Sequence, residues 1–147
     1  MTEAPVQLRL LAEDEEDLKV ISAALQDAIA KVGDITYAPR ERTLTIALNR
    51  FRWEGGGKSG AGQRVRAALQ FGGVLNVRTR RLKREPRDAV VELLALDFKP
   101  GESPGGEVLL SFAGGADLSV EVECLDAVMA DLSRPWPTPR APTHPEG

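Results

Sequence analysis

Along the chain the apolar positions change period once, dividing a helical opening from a long run of strands. Val6, Leu8 and Leu10 alternate with Gln7, Arg9 and Leu11, the two-residue period of a short entering strand. Leu18, Ile21, Leu25, Ala28, Ile29 and Val32 then recur at spacings of three and four, which predicts one long amphipathic helix. The run Glu13-Asp14-Glu15-Glu16-Asp17 sets negative charge against the partial positive charge of that helix's N-terminus, with Asp14 as its cap and Gly33 as the expected C-cap. This explains the acidic run structurally, whereas a hard-metal site would draw oxygens from several elements.

From Asp34 the period is two. Ile35–Ala38 and Thr43–Trp53 flank the turn Pro39-Arg40-Glu41-Arg42 and predict a hairpin. Leu44, Ile46 and Leu48 share a face whose parity would next take Arg50 and Arg52. A β-bulge near Asn49 would turn both arginines outward and Phe51 and Trp53 inward; without it the pair overhangs the core. Glu54–Gln63, with five glycines, predicts a loop. Arg64–Phe71 alternates with Val65, Ala67, Leu69 and Phe71 inward, and after Gly72-Gly73 the residues Leu75, Val77 and Thr79 oppose Asn76, Arg78 and Arg80. Ala89–Lys99 is apolar on both faces, as in a central strand or one beneath a helix. Val108–Phe112 and Leu118–Cys124 predict a last hairpin around Gly114-Gly115, with Cys124 continuing the inward parity. Leu125, Val128, Met129 and Leu132 predict a short closing helix, and five prolines after Arg134 predict an extended tail in which Trp136 can dock.

This order is α+β, a single domain over residues 1–133 followed by a proline-rich tail over 134–147. The expected architecture is a mostly antiparallel rolled sheet or partly open barrel of about seven to eight strands. One long N-terminal helix and a short C-terminal helix accompany it, and a pleckstrin-homology-like roll is one version. At 147 residues such a domain removes roughly 70% of the unfolded chain's surface from water. Cys124 is the only cysteine, which excludes an intrachain disulfide. No apolar run approaches the roughly 20 residues that span a bilayer, and Met1–Pro5 has no basic start leading into one. The expectation is a cytoplasmic protein without a membrane partner.

Charge changes the picture more than composition does. Residues 40–87 hold thirteen of the nineteen basic side chains and only three acidic ones, while the overall net charge is −3. Eight of those cations form R-x-R pairs: Arg40/Arg42, Arg50/Arg52, Arg64/Arg66 and Arg78/Arg80. Residues two apart on a strand face the same way, so Arg50, Arg52, Arg64, Arg66, Arg78 and Arg80 on three consecutive strands would build an anion-binding sheet face. A phosphate-bearing ligand, a nucleic acid or an acidic protein would fit it. The alternative is a protein–protein module, homodimers included, in which the arginines are solvated or paired with the chain's own acids, Glu121 and Glu123 first among them. Phe51 and Trp53 alternate with Arg50 and Arg52, which turns aromatics away from cations and argues against stacked single strands.

Candidate chemistry adds little. Gly55-Gly56-Gly57-Lys58-Ser59 resembles a phosphate-binding loop, but position 52 is Arg where that loop needs glycine, and a strand pattern follows instead of a helix. The only histidine, His144, lies in the tail, which leaves no positioned imidazole and no zinc set with Cys124. A non-enzymatic protein without metal or cofactor is expected; a deep pocket lined by Glu92 or Asp97 would revive carboxylate chemistry.

Three blocks are familiar together. They are Ala12–Leu18 running on to Leu25–Ala28 and Lys31–Asp34; Leu48-Asn49-Arg50-Phe51-Arg52-Trp53-Glu54; and Phe112-Ala113-Gly114-Gly115 leading to Val122-Glu123-Cys124. On these the chain resembles the bacterial family known as domain of unknown function 2948. That resemblance implies a small cytoplasmic bacterial protein and carries no catalytic residues with it.

Overall fold

The computed structural model describes residues 7–53 and 62–138. Val6, most of the predicted glycine loop and the tail beyond Thr138 lie outside the described residues. Among the described residues one α-helix, α1 (Glu15–Leu25), accompanies eleven strands. The first five are β1 (Arg9–Ala12), β2 (Ile29–Lys31), β3 (Ile35–Ala38), β4 (Thr43–Trp53) and β5 (Gly62–Phe71). After them come β6 (Val74–Arg80), β7 (Val90–Pro100), β8 (Gly106–Phe112), β9 (Asp117–Val122), β10 (Ala127–Asp131) and β11 (Trp136–Thr138). They form one sheet, larger than predicted, in the order β1-β10-β5-β4-β2-β7-β8-β9-β6, with β3 also on β4 and β11 also on β5. Every pairing is antiparallel, and the sheet does not close, because its path ends at β1 and β6.

Period two explains the core. Leu44, Ile46 and Leu48 of β4, Ala67, Leu69 and Phe71 of β5, and Ala127 and Met129 of β10 point inward. They meet Val108, Leu110 and Phe112 of β8 and Leu118, Val120 and Val122 of β9 in one apolar cluster. The cluster also takes Leu18, Ile21 and Leu25 of α1. The helix cap is as expected: Asp17 N–H donates to Asp14 Oδ1 at 2.8 Å. Ser22 Oγ accepts the Leu96 N–H at 3.0 Å, so α1 occupies part of the β7 edge that β2 leaves unpaired.

Four expected features are corrected. The helix stops at Leu25, where Asp27 takes a left-handed φ of 70°, and Ala28 and Val32 are buried from β2 and the 3-10 turn Val32–Asp34 that follows it. Three-and-four spacing therefore outran the helix, because a strand and a turn bury the same positions. The closing helix is β10: Ala127, Met129 and Asp131 face in, and Val128 and Ala130 face out. The start of the proline-rich tail is β11, which pairs with β5. Cys124 is exposed, because β9 ends at Val122 and Leu125 takes the next buried position.

The bulge near Asn49 does not form. β4 and β5 pair without a shift from Leu44↔Phe71 to Trp53↔Gly62, so Arg50 keeps the inward parity of Leu48. It is tolerated there by a two-bond pair with Asp131, Nε to Oδ1 and Nη2 to Oδ2, each 2.8 Å, with side chains 8% and 2% exposed. Asp131 also accepts the Leu8 N–H at 2.9 Å, tying β4 and β10 to the residue before β1. Desolvation by burial pushes the Asp131 pKa up, but the hydrogen bonds from Arg50 and Leu8 and the charges of Arg50 and Arg52 outweigh it, leaving the carboxyl below its ordinary value. A depressed folded-state pKa contributes stability that is full above the unfolded carboxylate range and is lost as pH falls through the folded value. Acid unfolding followed by circular dichroism should therefore steepen below about pH 4 in the parent protein and be flatter in Asp131→Asn.

Candidate interaction face

The six arginines expected on one outward face are divided among several environments. Arg50 is inside the core edge, and Arg52, half-buried, shares its parity at the end of β4. Arg64 donates from Nη1 to the Asp27 carbonyl at 3.3 Å and lies 5.4 Å from the Phe51 ring centroid. Burial lowers the Arg64 pKa, and the Asp27 and Glu92 carboxylates oppose that shift. Arg66 reaches Asp34 at 3.1 Å and Asn49 Oδ1 at 3.2 Å. Arg78 meets Glu107 at 3.5 Å and Arg80 meets Asp117 at 2.6 Å.

Topology explains the division. β6 follows β5 in sequence but pairs with β9, so Arg78 and Arg80 cannot extend the row begun by Arg64 and Arg66. Of the two acids expected to answer the arginines, one does so. Glu121 lies opposite Asn76 and Glu107, while Glu123 pairs with Arg42 at 2.9 Å. Exposed pairs of this kind contribute roughly 0–1 kcal/mol each, but they neutralise the cations they touch. Aromatics and cations are not kept apart as expected: Phe51 faces away from Arg50 on its own strand, yet the register sets it beside Arg64 on the next.

What the sheet leaves uncovered lies elsewhere on its outer side. Leu11, Val128, Gln70 and Thr45 form one outward row across β1, β10, β5 and β4, and Arg9, Ala130, Ala68 and Ala47 form the next. Leu132 continues the β10 column, its N–H donating to the Arg66 carbonyl at 2.6 Å, and Trp136 of β11 stands opposite Arg64. Leu11, Leu132 and Trp136 are 63%, 58% and 39% exposed. An outward strand face is ordinarily polar, so these three exposed apolar side chains depart from the usual pattern. None of the described outward positions on these four strands carries an acidic side chain; Asp34 reaches Arg66 from the 3-10 turn. The face mixes exposed apolar and neutral polar side chains with the cations Arg9, Arg64 and Arg66.

Sequence reasoning did not select this face, although one signal was present. Leu11 interrupts the polar parity of Gln7 and Arg9, and Leu132 was absorbed into a helix that does not form. Of the two carboxylates considered for catalysis, Asp97 is exposed on β7 and Glu92 is half-buried near Arg64. Among the described residues no three His, Cys, Asp or Glu side chains gather as a metal site, and no helix is long and apolar enough to cross a membrane.

No curated protein and no solved structure matches the chain. A family model does, across residues 8–144, which takes in β1 through β11 and both sides of the face just described. The chain belongs to the family described as protein of unknown function (DUF2948).

Proposed function

We propose that the protein is a non-catalytic binding module whose outer sheet face, across β1, β10, β5 and β4, docks an acidic protein segment that also carries apolar side chains. The observation that carries this reading is the combination of exposed Leu11, Leu132 and Trp136 with outward positions that are basic or neutral along the four strands themselves, the acidic Asp126 lying just before β10 at one end. Charge complementarity selects the partner's sign. A two-fold contact of this face with a second copy would set its cations against those of the copy, which favours a different, acidic chain over self-association. The R-x-R pairs contribute less than their number suggests, since Arg50, Arg66, Arg78 and Arg80 are each engaged by an acid of the same chain.

A photo-activatable side chain at Leu132 should cross-link to an acidic partner in cells. Once that partner is purified, Leu11→Asp with Leu132→Asp should weaken its binding at least about tenfold, and added salt should weaken it further. Both leucines are more than half exposed, so the folded chain should lose no more than about 0.5 kcal/mol of stability for each. Cross-links only between copies of this chain, or affinity unchanged in the double variant, would overturn the reading.

A further inference from the structure

The unclosed sheet leaves a seam between β3 and β6, and a cleft of about 350 Å3 opens there. Val74 N–H donates to the Arg42 carbonyl at 2.9 Å, which ties the start of β6 to the turn between β3 and β4. From that point the cleft is lined by the half-buried Ile35 and Val77, with the fully buried Leu44 and Leu118 behind them. Its polar groups come from three segments: Tyr37 on β3, Thr79 on β6, and Arg84 and Arg87 on the connection from β6 to β7.

Those groups are unequally committed. Arg87 is fixed by a two-way contact with the 3-10 turn: Gly33 N–H donates to its carbonyl at 2.7 Å, and its Nη2 donates back to the Gly33 carbonyl at 3.1 Å. Position 33 leaves little room for a side chain, because a Cβ there would stand 3.0 Å from both the Cβ and the carbonyl oxygen of Arg87. The remaining guanidinium N–H groups of Arg87 are left for another acceptor. Arg84 makes no hydrogen bond or ion pair among the described residues, and neither does the hydroxyl of Tyr37 or of Thr79. Among the described residues no carboxylate lines the cleft. It therefore combines an apolar floor, two cations and two hydroxyls, which is the donor set for a group that is anionic at one end and apolar at the other.

We propose that this cleft binds a small amphiphilic anion, with its apolar body on Ile35, Val77 and Leu82 and its carboxylate or phosphate at Arg84 and Arg87. The site is separate from the outer sheet face and does not depend on what docks there. Titration calorimetry at low ionic strength with octanoate and octyl phosphate separates the two head groups, with octanol, octylamine and inorganic phosphate as controls. At least one of the two anionic amphiphiles should bind saturably below about 1 mM, at least about tenfold tighter than octanol or inorganic phosphate. Arg84→Gln, at an exposed side chain with no partner to lose, should weaken that binding about tenfold and leave the fold intact. Methyl resonances of Val77 and Leu82 should shift on binding. No saturable binding of either anion up to about 1 mM, affinity equal to that of octanol or octylamine, or affinity unchanged in both Arg84→Gln and Arg87→Gln would overturn the assignment. Leu11→Asp with Leu132→Asp should leave this binding unchanged, so the two readings fail independently.

Discussion

Arg50→Leu should lower the free energy of unfolding by about 3–5 kcal/mol, because it leaves the Asp131 carboxylate buried with its main counter-charge removed. The loss should show as a lower midpoint in urea with little change in slope. The second member of the test is Arg50→Leu combined with Asp131→Leu. A buried ion pair replaced as a unit by apolar side chains is often neutral for stability, so the double variant should recover most of the loss. One bond stays unreplaced, the Leu8 N–H to Asp131 Oδ2, and its loss sets how far the recovery falls short. A single-variant loss below about 1 kcal/mol would mean that water reaches Asp131 in solution.

Phe71→Ala should cost a similar amount, about 3–5 kcal/mol, for a different reason. Phe71 is fully buried at the end of β5, opposite Leu44 on one side and Ala127 on the other. One of its two cross-strand neighbours is an alanine, too small to fill the space that the ring would vacate. Phe71→Leu keeps most of the volume and should lose clearly less, so the ratio of the two losses in denaturant titrations measures how rigidly the surrounding strands hold their positions.

The sequence was legible where one local pattern had one outcome. Alternation from Ile35 to Val122 located β3 to β9, and the acidic run ahead of Leu18 located the start of α1. It misled where two structures bury the same positions. Leu25, Ala28, Ile29 and Val32 satisfy a helix, but Asp27 turns left-handed and the chain leaves as a strand. Leu125, Val128, Met129 and Leu132 satisfy a helix as well, and the inward Asp131 hid the strand, because its partner Arg50 is remote in sequence. Arg50 had the same defect seen from the other strand: alone it demands a bulge, and paired it needs none. The candidate face was illegible for a topological reason, since its rows run through β1, β10, β5 and β4, whose adjacency no local pattern encodes.

Strand order also fixes when the protein can finish folding. Near the end of the described chain β10 inserts between β1 and β5, and among the described residues it is the only strand that pairs with β1. A nascent chain can form the β3–β4 hairpin early, but β1 waits for residues 127–131 to leave the ribosome, as Arg50 waits for Asp131. Most of the close contacts are between residues far apart in sequence, which places this chain among slow folders. Until β10 arrives, the edges of β1 and β5 stand open to strands from other chains, so synthesis is when this molecule is most exposed to aggregation.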